Sequence, residues 1–91
     1  MRVQWTTTSA GDLAHIVEYI RKDDPAAARR VAQTIYGNVA GLRRLPYRGR
    51  IGLVENTREL VLSPLPYIVV YEIIGDQVQV LRIRHAAQNW P

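Results

Sequence analysis

The 91-residue chain contains no cysteine, which excludes a disulfide framework and a thiolate metal site and fits a reducing compartment. No apolar run approaches a membrane span, and the opening Met1-Arg2-Val3-Gln4-Trp5-Thr6 lacks the apolar stretch of a signal peptide. The expected location is therefore the cytoplasm, with no membrane partner. There is no glycine-rich phosphate loop, no spacing of metal ligands and no nucleophile elbow, so neither a cofactor nor a metal is expected. Lysine is nearly absent: eleven of the twelve cations are arginine. Histidine occurs twice, as His15 and His85.

A hydrophobic fraction of 47% is that of an ordinary globular protein. The length predicts one domain, residues 1–91, that buries roughly 60–65% of its unfolded surface. The net charge is +4, and its distribution says more than its size. Arg43, Arg44, Arg48, Arg50 and Arg58 share a segment with one acid, Glu55, whereas Asp12, Glu18, Asp23 and Asp24 concentrate earlier. Arginine presents a planar fork of donors that suits phosphates and carboxylates, so the bias points to anionic partners. A GC-rich genome would produce the same bias.

Arg2 to Thr6 alternates polar and apolar residues and predicts a short strand. Ser9 followed by Asp12 resembles a capping box, and Leu13, Ile16, Val17 and Ile20 recur at helical spacing, predicting a helix over 9–22. Asp24-Pro25 restarts the helix with an N-cap and a proline at the first position. Ala28, Val31, Ala32, Ile35, Val39 and Leu42 form the next stripe, to about Arg44. Two or three connecting residues force the helices into an antiparallel hairpin. After a Gly- and Arg-rich loop over 46–56, the pattern turns to strands at 59–62, 67–74 and 78–84, the last two joined by Gly75-Asp76. The predicted fold is α+β, in the order β-α-α-β-β-β, with a helical hairpin packed on an antiparallel sheet.

Strand alternation predicts Val78, Val80, Arg82 and Arg84 on one face of the last strand, running from apolar to basic. His15 falls on the polar side of its helix and reads as a solvated residue. His85, directly after the last strand, suits either acid–base chemistry or a hydrogen bond that holds the C-terminal tail. Tyr67 and Tyr71 share a face and read as packing, while Tyr47 in the basic loop reads as a contact residue. Trp90 either docks back on the domain or meets a partner.

Four stretches, in this order, span nearly the whole chain: Asp12-Leu13-Ala14-His15-Ile16-Val17-Glu18-Tyr19-Ile20, Asp24-Pro25-Ala26-Ala27-Ala28, Leu45-Pro46-Tyr47-Arg48-Gly49-Arg50, and Tyr67-Ile68-Val69-Val70-Tyr71 with Val80-Leu81-Arg82-Ile83-Arg84-His85. Together they resemble the RelE/ParE superfamily of type II toxin–antitoxin toxins. That resemblance implies a cognate antitoxin protein that wraps and neutralises the toxin in a hetero-oligomer.

The family divides by mechanism. RelE-like members cut messenger RNA on the ribosome without a metal, using basic side chains on the sheet face. The resemblance implies arginine where this chain has Ile68, basic residues where it has Glu59 and Val61, and an arginine near Gln88. Candidates to replace them are Arg58, Arg82, Arg84 and His85. ParE-like members instead poison DNA gyrase by binding, and these omissions favour that branch. Its expected target-binding residues are Tyr47, Arg48, Arg50, Arg82, Arg84 and Trp90. The alternatives are a RelE-like messenger-RNA endonuclease and an inactive module that only binds its antitoxin.

Overall fold

The computed structural model describes residues 1–91. A first strand, β1 (Arg2–Trp5), leads into helix α1 (Thr7–Arg21) through Thr6, whose extended backbone and Oγ1 cap the Ser9 N–H at 3.1 Å. The helix thus begins two residues before the predicted start. Ser9 sits inside the first turn, fully buried, and its hydroxyl donates back to the Thr6 carbonyl at 3.0 Å. Asp12, freed from capping, is available elsewhere. Helix α2 (Pro25–Gly41) opens as the sequence predicts, with Asp24 Oδ1 accepting from the Ala27 N–H at 3.0 Å and proline in the first turn. Its end tightens into i−3 bonds from Leu42, Arg43 and Arg44, carrying the chain to the predicted limit.

Three longer strands follow a two-residue strand β2 (Arg50–Ile51): β3 (Arg58–Val61), β4 (Tyr67–Ile74) and β5 (Gln77–His85). The sheet order is β1-β5-β4-β3-β2. Strands β2 to β5 are antiparallel neighbours, as expected, but β1 lies parallel to β5, with Arg2 beside Gln77 and Trp5 beside Val80. The sheet is therefore mixed. A parallel neighbour needs a long crossover, and the two helices lie within it. Strand β2, inside the predicted loop, is too short to carry a periodicity of its own.

One irregularity changes the face argument. Val70 pairs with Arg82, but Tyr71 pairs with Val80, so Leu81 bulges out of register. Val78, Val80 and Ile83 all enter the core under the helices, whereas Arg84 turns to the opposite face. The predicted grouping of both valines with the arginines fails at that bulge.

The core joins Ile35, Val39 and Leu42 of α2 to Leu60, Leu62, Val69, Tyr71, Val78, Val80 and Ile83. Helix α1 packs at the margin: Leu13, Ile16, Val17 and Ile20 are only half-buried. Beyond Trp5 the outer edge of β5 has no strand neighbour. Its polar groups are met by side chains instead: Thr6 Oγ1 on the Leu81 carbonyl at 3.2 Å, Asp12 on the Ile83 N–H at 3.0 Å and Gln88 on the His85 N–H at 3.0 Å.

Tyr71 ties the loop after α2 to this core. Its hydroxyl donates to the Pro46 carbonyl at 2.7 Å and accepts from the Gly49 N–H at 2.9 Å. Gly49 is glycine for a steric reason: a Cβ there would lie 2.6 Å from the Tyr71 hydroxyl and 3.0 Å from the Glu59 carbonyl. Tyr71→Phe is expected to cost about 1–3 kcal/mol by orphaning two backbone groups, and Gly49→Ala about as much by crowding. Chemical denaturation measures both, and an unchanged midpoint in either would contradict the anchoring role.

Candidate functional site

The residues singled out in the sequence fall into three groups. The first is the loop after α2, where Arg43, Arg44, Tyr47 and Arg48 are exposed. Arg58 at the start of β3 places its guanidinium 5.2 Å from the Tyr47 ring centroid, a cation–π contact. Its Nε is buried with no hydrogen-bond partner. Arg48 donates to Asn38 Oδ1 at 3.1 Å, so it is steadied by α2 through a neutral partner.

The second group lies on the sheet face opposite the helices. Glu59, 1% exposed, accepts on Oε1 from Arg50 at 2.9 Å and from Arg84 at 3.4 Å, and on Oε2 from the Leu53 N–H at 3.3 Å. Burial alone would push the Glu59 carboxyl up. The Arg50 hydrogen bond, the Leu53 N–H and the two arginine charges outweigh it and hold the pKa below the usual carboxylate value. Ile68 and Val70, both buried, lie on this face beside Arg84 and Glu59. Trp90 folds back so that its ring centroid lies 5.7 Å from the Arg84 guanidinium. Its indole is half-buried against the domain.

The third group is a cleft of about 540 Å³ between α1 and the end of β5, lined among others by His15, Tyr19, Tyr67, Arg82 and His85. Arg82 donates to Asp12 through Nε at 2.8 Å and a terminal nitrogen at 3.3 Å, and this pairing raises the Arg82 pKa. The exposed imidazole of His85 meets the Tyr67 ring edge-on at 5.8 Å, and its Nδ1 accepts from the Ala87 N–H at 3.1 Å. His85 thus holds the tail, with Nε2 left over. Burial, then the nearby Tyr19, raises the Tyr67 phenol pKa.

The four nuclease candidates do not converge. Arg58 stands against Tyr47, Arg84 lies in the Glu59 cluster, and only Arg82 and His85 share a cleft. Arg84 and His85 are consecutive in β5 and so point to opposite faces. Nor do the expected target-binding residues form one surface: Tyr47 and Arg48 sit on the loop, Arg50 and Arg84 share Glu59 with Trp90 against Arg84, and Arg82 is at the α1 margin. Sequence reasoning missed the two acids that organise this arrangement. Asp12 looked like a capping residue. Glu59 carried a legible signal, a lone carboxylate alternating with Leu60 in a β-forming run, but its partners are nine and twenty-five residues away.

A family model described as the ParE toxin of the type II toxin–antitoxin system, parDE, matches residues 3–90. The chain belongs to the ParE toxin family. A protein designated toxin Y4kP, from Sinorhizobium fredii, is 46% identical over 90 residues, covering 99% of this chain and 93% of its own length. Toxin RelE2 of Caulobacter vibrioides is 38% identical over 87 residues, covering 96% and 97%. A solved structure described as the chromosomal ParDE TA system from P. aeruginosa superposes with a TM-score of 0.86 at 28% identity, over 93% of this chain and 95% of that one. In this ParE-family toxin, then, the basic residues of the sheet face are tied to a buried carboxylate.

Removing Glu59 strands Arg84, which is 6% exposed, without a counter-charge. Glu59→Ala should cost about 3–5 kcal/mol, and the double variant with Arg84→Met should recover most of it. Because the folded-state pKa is depressed, this stabilisation is complete above the unfolded value, near 4.5, and fades as pH falls through the lower folded value. Melting temperatures from pH 7 to 2 should show that loss in the native protein and a shallower one in Glu59→Gln. Equal pH slopes would rule the cluster out as the cause.

Proposed function

We propose that this ParE-family toxin arrests growth by binding DNA gyrase in the cytoplasm and is neutralised by a cognate antitoxin. The observation that carries the reading is the charge pairing of the sheet face. Metal-free RNA cleavage needs cationic side chains free to meet the charge that develops on the scissile phosphate, and a nearby proton acceptor. Here Arg84 and Arg50 share the Glu59 carboxylate, Arg82 is engaged by Asp12, and the one histidine beside them faces away from Arg84. A toxin that acts by binding needs no such assembly. The half-buried stripe of Leu13, Ile16 and Ile20, next to the exposed Tyr19, offers apolar area for an antitoxin segment to cover.

A second reading, ribosome-dependent messenger-RNA cleavage, draws on the cleft where Arg82 and His85 meet, and on a relative that carries a RelE name. Purified toxin with gyrase and relaxed plasmid separates the two. Loss of negative supercoiling with accumulation of gyrase-linked breaks is expected, and co-addition of the antitoxin encoded beside this gene should reverse it. Cleaved messages at ribosomal positions, with supercoiling untouched, would overturn the gyrase reading. Induced expression without any growth defect would point to an inactive antitoxin-binding module. His85→Ala should change toxicity less than about threefold, since it removes one tail hydrogen bond worth roughly 0.5 kcal/mol. A hundredfold loss with intact folding would favour the nuclease.

A further inference from the structure

The loop after α2 combines features that neither the Glu59 cluster nor the cleft uses. Arg43, Arg44 and Arg48 are exposed and none has a carboxylate partner, unlike Arg2, Arg21, Arg50, Arg82 and Arg84. Among them stands Tyr47, 67% exposed. It separates two concavities, one of about 470 Å³ lined by Arg44 and Arg48, the other of about 620 Å³ reaching Arg58. The residues flanking this ring are fixed: the Tyr71 hydroxyl bonds the Pro46 carbonyl on one side and the Gly49 N–H on the other. A cation–π contact with Arg58 steadies the ring itself.

We propose that this loop is a binding site for single-stranded DNA, with one base stacked on Tyr47 and the flanking phosphates on Arg44, Arg48 and Arg58. An exposed aromatic ring among unpaired arginines supplies the two elements of sequence-tolerant strand binding, a stacking platform and a cationic track. A duplex keeps its base faces stacked internally and cannot use the ring. An acidic peptide would satisfy the arginines but leave the aromatic platform without a flat partner. Rigid anchoring lowers the ordering cost of binding, as preorganisation requires. Arg58 also lines the larger concavity, where its guanidinium meets the Tyr47 ring. The choice of DNA over RNA rests on the gyrase reading, whose target is an enzyme that acts on DNA.

Fluorescence anisotropy of a labelled ten-residue oligothymidine with the full-length toxin tests this without gyrase. Binding should weaken with salt along a logarithmic slope near −2, for about three phosphates at roughly −0.7 each. Tyr47→Ala should weaken it about tenfold with little change in slope, Tyr47→Phe should leave it intact, and Arg44→Gln with Arg48→Gln should flatten the slope by about 1.4. Circular dichroism melts confirm that each variant folds. Equal or tighter binding to duplex, no effect of Tyr47→Ala, or preference for oligouridine would each overturn the assignment. Supercoiling inhibition with no oligonucleotide binding would sink this proposal alone, whereas strand binding by a toxin that spares gyrase would sink the gyrase reading alone.

Discussion

The buried carboxylate of Glu59 is the interaction on which the rest depends. It sits on the sheet face opposite the helices, almost without solvent, and collects charge from two arginines of different strands and a backbone N–H from the loop between β2 and β3. Without it Arg84 would be an unpaired buried cation, which a small domain tolerates poorly. With it, the two-residue strand β2 gains a reason to remain in the sheet. One acid therefore holds two strands and a loop together and gives both arginines of this face a shared counter-charge.

A second anchor works on the other side of the sheet. The Tyr71 hydroxyl, reached from the centre of the core, bonds both ends of the segment that carries Tyr47 and Arg48. A surface loop is ordinarily the mobile part of a domain. Here it is fixed to a fully buried ring, with Gly49 supplying the close approach. The arginines thus differ in their surroundings: those on the sheet face and at the α1 margin pair with Glu59 and Asp12, while Arg43, Arg44 and Arg48 beside Tyr47 have no carboxylate partner.

The sheet edge follows the same economy. Where β1 ends, β5 continues with outward-facing polar groups that would invite another strand. Thr6, Asp12 and Gln88 satisfy the Leu81, Ile83 and His85 groups that point that way. Asp12 also pairs with Arg82, so the same carboxylate closes an edge and removes a free cation from the cleft. Helix α1, pinned at the margin by these contacts, leaves much of its apolar stripe open.

The sequence by itself determined the element order, the helical hairpin and the β4–β5 pairing, because those rest on local chemistry: apolar spacing, the Asp24-Pro25 start, the Gly75-Asp76 turn and the β-branched run at Tyr67–Ile74. It also marked the basic loop, since composition survives without coordinates. Tertiary structure alone decided that β1 runs parallel to β5, that Leu81 bulges and so moves Arg84 away from Val78 and Val80, and that Asp12 and Glu59 choose Arg82, Arg50 and Arg84 as partners. Alternation along a strand holds only while register holds, and a bulge is set by packing rather than by residue type. Ion pairing is likewise a matter of distance in space: Asp12 and Arg82 are seventy residues apart and meet only because α1 lies along the open edge of β5.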